Sequence, residues 1–200
     1  MNGKLVLGVL IAAVMLIAAC GGASPGGDSS DLNLTIEGAQ NTLSPKSSWA
    51  YHTSKSFSSS KDGQTDMFTS SSTTVVLANY ELDTTQAFIS LNKQKLDKPE
   101  QIKVSFGFSG EKGTSSSTPI AAGEYVAKKE MFEGNKLEFV TIYRFADGKQ
   151  QQVSLNEKEW TGSLKINGVS GNVLSGSIDV TDGKNAIKGS FSANGHKSVK

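Results

Sequence analysis

Few residues of this 200-residue chain have side chains suited to catalysis or metal binding. The sequence contains two histidines, His52 and His196, and a single cysteine, Cys20. Neither histidine has a second metal ligand at a zinc-motif spacing, no Walker pattern occurs, and the candidate serine nucleophiles lie in low-complexity runs. We therefore predict that the chain is not an enzyme and has neither a cofactor nor a bound metal, and that both histidines are surface or loop residues.

Two further groups of residues have chemistry that a binding site would use. Five glutamates are numerous enough to supply a glycosidase pair, although their spacing does not demand one: Glu130, Glu133, Glu138, Glu157 and Glu159. Five aromatic residues suit either the lining of a groove for sugars, peptides or lipid tails, or the packing of a core or its rim: Trp49, Tyr51, Tyr125, Tyr143 and Trp160.

The amino terminus has the pattern of a signal peptide. Lys4 precedes thirteen uncharged, mostly apolar residues, Leu5 to Ile17, which as a helix would be roughly 20 Å long and too short for a bilayer interior. The segment ends in Ile17-Ala18-Ala19-Cys20, which resembles the lipobox of bacterial lipoproteins. That resemblance implies recognition of Ile17, Ala18 and Ala19 by the lipoprotein signal peptidase, cleavage before Cys20, and diacylglycerol on the Cys20 sulfur.

The resemblance also implies an organisation and a location. Residues 1–19 would be the signal peptide, residues 20–31 the lipidated cysteine and a flexible Gly/Ser-rich tether, and residues 32–200 a single domain. The acyl chains would hold that domain at the bacterial cell envelope. The membrane would be the outer membrane in a Gram-negative host and the plasma membrane, on its extracytoplasmic face, in a Gram-positive one. The alternative is an ordinary secretory signal with an incidental cysteine.

The charge of the chain excludes one class of partner. Removal of Lys4 would leave 19 basic and 19 acidic residues, and Arg144 is the only arginine among the basic ones. A near-neutral chain that uses lysine gives no electrostatic reason to bind nucleic acid. The expected partners are therefore the membrane, through the N-terminal lipid, and an unidentified protein or small molecule.

Alternating apolar residues predict β-strands in the body of the chain. In residues 101–109, Ile102, Val104, Phe106 and Phe108 point one way and the intervening residues point the other, which is typical of a half-buried strand. Further strands are predicted in residues 73–82 and 136–145. Residues 83–96 have a helix-capping pattern, although part of this stretch would also suit a strand. The serine-rich runs 54–74 and 114–118 are interpreted as loops or polar outer faces.

Five dipeptides have the composition of two-residue hairpin turns: Asp62-Gly63, Asp147-Gly148, Asn167-Gly168, Asp182-Gly183 and Asn194-Gly195. A short motif that begins with Gly-Ser also recurs at Gly162, Gly176 and Gly189. If Asp182-Gly183 is a two-residue turn, Gly176 and Gly189 lie opposite each other on the apolar face. Paired strand glycines indicate a sharply coiled sheet, or a backbone or large side chain close above them.

These patterns together predict an all-β domain with at most one short helix, in which an antiparallel meander forms a small barrel or a β-sandwich. The predicted function is that of a membrane-anchored lipoprotein with a non-catalytic extracytoplasmic domain for binding or structural interaction. The alternative is a lipocalin-like carrier whose curled sheet encloses a small apolar ligand. An interior pocket lined by aliphatic residues would favour the carrier, and a filled core would reject it.

Overall fold

Eleven β-strands make up nearly all of the regular structure in the computed structural model, which describes residues 31–61, 64–85, 91, 93–127 and 134–195. The strands are β1 (Leu32–Ile36), β2 (Ala39–Leu43), β3 (Ser47–Lys61), β4 (Gln64–Ala78), β5 (Ile102–Lys112), β6 (Gly123–Ala127), β7 (Lys136–Ala146), β8 (Lys149–Ser154), β9 (Thr161–Ser170), β10 (Val173–Thr181) and β11 (Ala186–Gly195). The predicted all-β fold class is confirmed. Leu91 and Lys93 are helical, but residues 86–90 and 92 of the predicted helix lie outside the described residues.

Eight of the strands form a hydrogen-bonded ring in the order β3, β4, β5, β7, β6, β9, β10, β11. The ring has two antiparallel halves, one of β3, β4, β5 and β7 and the other of β6, β9, β10 and β11. Parallel pairings of only two residue pairs each, between β6 and β7 and between β11 and β3, join the halves. The result is one continuous sheet in which both joints are short.

The remaining strands attach beside the two joints. The β1–β2 hairpin pairs with the beginning of β11, and β8 pairs with the end of β7. At the opposite end of the ring, the β3–β4 hairpin extends beyond its neighbours: β4 pairs with β5 only as far as Ser70 and Lys112, whereas its pairing with β3 continues to Gln64 and Lys61. The ring therefore has a projecting ribbon at one end.

Side chains of both halves fill the interior of the ring. Apolar residues of β4, β5, β7, β9, β10 and β11, together with the inward side chains of β1, form a single buried cluster. Phe106 of β5 and Phe191 of β11 meet edge to face across the interior, with ring centroids 5.1 Å apart. Trp160 is buried in the same cluster. This burial of apolar surface is the main stabilising contribution to the fold, because the chain has no second thiol with which Cys20 could form a disulfide.

A second, smaller cluster covers part of the outer face. Leu82 and Leu91 pack with Val76 and Ala78 on the outer side of β4, and Trp49 packs against them. Asn79 fixes the start of the covering segment, since its side chain accepts a hydrogen bond from the Ile102 N–H at 2.8 Å. The polar face of β5 lies under this covering segment, and both Lys103 and Ser105 are completely buried. The prediction that residues 101–109 form a half-buried strand is therefore wrong.

The β10–β11 register differs from the prediction by two residues. Gly176 lies opposite Phe191, and Ile178 lies opposite Gly189, so the two glycines are not cross-strand neighbours. The reason is the loop, which has four residues, 182–185, rather than two. The Asp182 carboxylate organises it by accepting hydrogen bonds from the N–H groups of Lys184 and Asn185 at 3.0 and 2.7 Å. A shift of two preserves the faces, so the predicted core side of both strands is correct.

The other turn dipeptides have mixed outcomes. Asp147-Gly148 is the predicted two-residue hairpin, with positive φ at both positions. Asn167-Gly168 is instead at a β-bulge inside β9, and the turn falls at residues 171–172. Asn194-Gly195 is not a turn either, because both residues pair with β3. Asp62-Gly63 lies outside the described residues. The serine-rich stretch 54–74 is largely strand rather than loop.

Candidate binding groove

The predicted lipidation residue Cys20 and the signal-peptidase recognition residues Ile17, Ala18 and Ala19 lie outside the described residues, as does His196. His52 is described, and its predicted surface position is wrong. It is buried on the inner side of β3, where its Nδ1 is 2.8 Å from the Thr73 hydroxyl and its Nε2 is 3.1 Å from the Thr118 carbonyl oxygen. Burial lowers the pKa of His52 below its ordinary value. Two backbone hydrogen bonds act to raise the pKa, but their effect is smaller.

His52 borders a cavity of about 280 Å³ between the inner face of the sheet and the loop 113–122. Its wall is mixed: Thr73 and Glu111 contribute polar groups, while Phe108 and Tyr125 contribute aromatic rings. Ile120 is the only branched aliphatic side chain among the described residues that line it. The cavity is therefore unlike the aliphatic pocket expected of an apolar carrier.

The five aromatic residues singled out from the sequence do not meet in one groove. Trp49 and Tyr51 pack against the outer cluster, and Trp160 is in the core. Tyr125 lies beside the interior cavity, where its hydroxyl donates to the Ala121 carbonyl oxygen. Tyr143 lies beside the ammonium of Lys103, 4.7 Å from the centre of its ring. Of the two alternatives, packing in a core or at its rim fits these positions better than the lining of one groove.

A different set of aromatic residues forms a groove on the outer face of the projecting end. Phe57 of β3 and Phe68 of β4 are directly opposite each other in the antiparallel register, and their rings stack with centroids 5.4 Å apart. Cross-strand aromatic pairs of this kind stabilise a two-stranded ribbon that has few other neighbours. The stacked pair forms one apolar wall of the groove.

Phe139 of β7 contributes to the lining from two strands away. Its ring lies over Gly107, the residue opposite it on β5, and a side chain at Gly107 would overlap that ring. The glycine thus lets the phenylalanine lie flat along the sheet instead of standing away from it. A β-bulge next to this pair places Glu138 on the same outer side.

Charged groups surround these apolar walls. Lys55 forms an ion pair with Glu138, whose Oε2 also accepts a hydrogen bond from the Ser72 hydroxyl at 3.1 Å. The ammonium of Lys112 lies 4.7 Å from the centre of the Phe68 ring, within the range of a cation–π contact. Lys136 and Glu157 complete the charged lining. Among the described residues, three ammonium groups and two carboxylates thus border the groove.

The groove encloses about 260 Å³ and has small residues among its lining, including Ser70, Ser109 and Gly110. The Ser70 hydroxyl is used internally, since it donates to the Gly110 carbonyl oxygen at 2.8 Å. The space is somewhat below the range of pockets that hold drug-sized molecules, so a ligand of one or two rings is the largest that it encloses.

The described part of the chain contains no group of three histidine, cysteine, aspartate or glutamate side chains arranged to hold a metal ion. Nor does it contain a helix of the length and apolar character needed to cross a bilayer. Comparisons with protein-family models, with curated proteins and with solved structures find no match to this chain.

Proposed function

We propose that this chain is a bacterial lipoprotein whose β-domain, residues 32–200, binds a partner or small molecule outside the cytoplasm without catalysing a reaction. The observation that carries the binding role is the groove on the outer face. It combines aromatic walls with charged groups on strands of a packed ring, which is the usual composition of a preformed recognition site. Because rigid strands hold these side chains, little ordering would be needed on binding.

The proposed location depends on the N-terminal sequence. Residues 1–19 act as the signal peptide, Cys20 carries the lipid, and residues up to 31 separate the domain from the bilayer. Two or three acyl chains, each contributing about 0.8 kcal/mol per buried methylene, hold a protein firmly at a membrane. The domain would then face the periplasm or the cell exterior, according to the type of host envelope.

Acylation is tested directly in cells supplied with radiolabelled palmitate. We expect the natural chain to incorporate label and Cys20→Ser to incorporate none, because no other cysteine is available. Ser24→Ala, a change in the neighbouring tether, is the matched control and should be labelled normally. Equal labelling of natural and Cys20→Ser chains, or none in either, would contradict the anchor.

Binding at the groove is tested by NMR titration of the full mature chain with a fragment library of acids, sugars and apolar rings. We expect ligand-dependent amide shifts centred on Phe57, Phe68 and Phe139. The carrier alternative predicts shifts centred on the interior cavity, at His52 and Tyr125, with apolar fragments giving the largest. A library that perturbs neither region would contradict small-molecule binding at the groove and the carrier alternative alike.

A further inference from the structure

The loop 113–122, all of whose residues the structure describes, covers the interior cavity. Few contacts hold it to the strands. Ile120 is the only one of its residues in the buried apolar cluster. The Ser116 N–H donates to a β3 hydroxyl at 2.7 Å, and the Ala121 carbonyl oxygen accepts from the Tyr125 hydroxyl at 2.9 Å. A segment that buries so little apolar surface is the kind that opens most readily in a folded protein.

His52 makes a contact between this loop and the sheet that depends on the protonation of its ring. Its Nε2 is 3.1 Å from the Thr118 carbonyl oxygen, and its Nδ1 is 2.8 Å from the Thr73 hydroxyl. Because a carbonyl oxygen can only accept, Nε2 carries the hydrogen of the neutral ring, and Nδ1 accepts from the hydroxyl. Both ring nitrogens are therefore satisfied when the imidazole is neutral and the loop is closed.

A second proton on the ring conflicts with this arrangement. Nδ1 would become a donor, so the Thr73 hydroxyl would have to accept. Thr73 is only 2 % exposed, and in the described part of the chain His52 is the only hydrogen-bond partner of its hydroxyl. The imidazolium itself would also be buried, and burial is the largest influence on the pKa of His52, which it lowers. Water admitted by an open loop would solvate both groups.

The other polar groups that line the cavity do not offset this cost. Glu111 of β5 is exposed, so water screens its carboxylate from the imidazole. Tyr125 of β6 stays neutral, because burial raises its pKa above the ordinary value. In the described lining, β4 contributes only the hydroxyl-bearing residues Ser71 and Thr73, and the loop has no titratable side chain. The cost of protonating His52 in the closed structure is therefore relieved mainly by opening the loop.

We propose that His52 is an acid-sensitive latch on the loop 113–122: protonation of its imidazole releases the Thr118 carbonyl and opens the interior cavity of about 280 Å³ to solvent. Because the pKa of His52 is lower while the loop is closed, the closed form binds fewer protons and acid favours the open form. The ratio of open to closed loop should rise by up to about tenfold per pH unit as the pH falls below about 6.5. The latch is independent of ligand binding at the outer groove.

The test is amide hydrogen exchange of the full mature chain, followed by NMR between pH 7.5 and pH 5 and corrected for the intrinsic pH dependence of exchange. We expect the protection of the Ser116 and Thr118 amides to fall about tenfold per pH unit below about pH 6.5, while amides of β5 and β7 stay protected. His52→Gln keeps an N–H donor but cannot be protonated, so its loop protection should not change with pH. His196→Gln removes the other histidine of the chain and should behave like the natural chain.

The remaining outcomes would overturn the latch. Loop protection that is the same at pH 7.5 and pH 5 in the natural chain would show that acid does not open the loop. An equal acid-induced loss in His52→Gln would assign the opening to another group. A parallel loss in β5 and β7 would mean that the whole domain unfolds. The imidazole titration of the natural chain is a readout that needs no variant, and a midpoint for His52 at or above about pH 6.5 would also contradict the inference.

Discussion

Gly162→Ala is expected to lower the free energy of unfolding by about 3 kcal/mol or more. Gly162, the second residue of β9, has φ at +101°, a conformation that residues with a side chain rarely adopt. A Cβ placed there would overlap the Asp179 carbonyl oxygen and lie 3.1 Å from the Val180 Cα. Both obstacles are backbone atoms of the paired strand β10, so a rotamer change cannot relieve the overlap. The substitution must either separate the strands or strain the chain.

The control for this prediction is Gly183→Ala in the β10–β11 loop. Gly183 has a similar φ of +88°, but a Cβ there would meet nothing within 4 Å. The free energy of unfolding of this variant should therefore fall only by the cost of placing a side chain at positive φ, roughly 1–2 kcal/mol. Urea denaturation of both variants measures the difference, which reports the steric contact alone. Equal losses in the two variants would show that the close approach of β10 to Gly162 is absent in solution.

The same contact explains the repeated Gly-Ser motif. A Cβ at Gly176 would overlap the Lys165 carbonyl oxygen, and one at Gly189 would lie 2.9 Å from the Asp31 carbonyl oxygen. Gly162 and Gly176 thus face carbonyls of paired strands, and Gly189 faces the carbonyl of the residue that precedes β1. Of the two alternatives given for these glycines, a sharply coiled sheet or a backbone or large side chain close above them, the contacts agree with the second, although the pairing proposed for two of the glycines is wrong.

The sequence predicts those features of the fold that depend on residues close together in the chain. Alternation places the inward residues of β5, β10 and β11 correctly, and Asp147-Gly148 forms its predicted turn. The register error arises from the four-residue loop, in which the Asp182 carboxylate accepts hydrogen bonds from Lys184 and Asn185 and also one from the Asn156 N–H, 26 residues away. Both parallel joints likewise connect strands that no hairpin turn links, and turn composition gives no signal for them.

The sequence alone does not predict the groove, because the residues around Phe57 and Phe68 have no distinctive motif. Phe57 and Phe68 lie eleven positions apart in a serine-rich stretch that resembles a loop, and only the antiparallel register makes them neighbours. The sequence does contain a signal, because a two-residue turn predicted from the Asp62-Gly63 dipeptide would pair Lys61 with Gln64 and therefore Phe57 with Phe68, and both pairs are present. Glu138 and Glu157 were singled out as candidate carboxylates, but only the fold brings both to this groove.

Lys103→Met is expected to increase the free energy of unfolding at pH 7 by about 1–3 kcal/mol. Lys103 has no exposed surface and lies beneath the segment that covers β5. Its ammonium donates to the Gln94 carbonyl oxygen at 2.7 Å and lies 4.7 Å from the centre of the Tyr143 ring. Burial nevertheless lowers the pKa of Lys103 from 10.5 to about 8. Methionine has a similar length and fills the same space without a charge to desolvate.

The pH dependence distinguishes two causes of a gain in stability: removal of a desolvated ammonium group and better packing of the methionine side chain. Because the pKa of Lys103 is lower in the folded state, the unfolded state binds more protons between about pH 8 and 10.5, and the natural chain becomes more stable as the pH rises through that range. The advantage of Lys103→Met should therefore shrink by about 2 kcal/mol between pH 7 and pH 9.5. Burial raises the pKa of Tyr143 above its ordinary value of 10 and that of Tyr80 to about 12, so both tyrosines remain largely neutral at pH 9.5.

The control for the buried amine is Lys165→Met on the exposed side of β9. It removes a lysine that faces solvent, and we expect it to change the free energy of unfolding by less than about 0.5 kcal/mol at both pH values. Chemical denaturation of the natural chain and both variants at pH 7 and pH 9.5 provides the comparison. An advantage of Lys103→Met that is the same at both pH values would mean that the lysine is not desolvated in the folded state. A loss of stability at pH 7 would mean that its contacts with Gln94 and Tyr143 outweigh the cost of its burial.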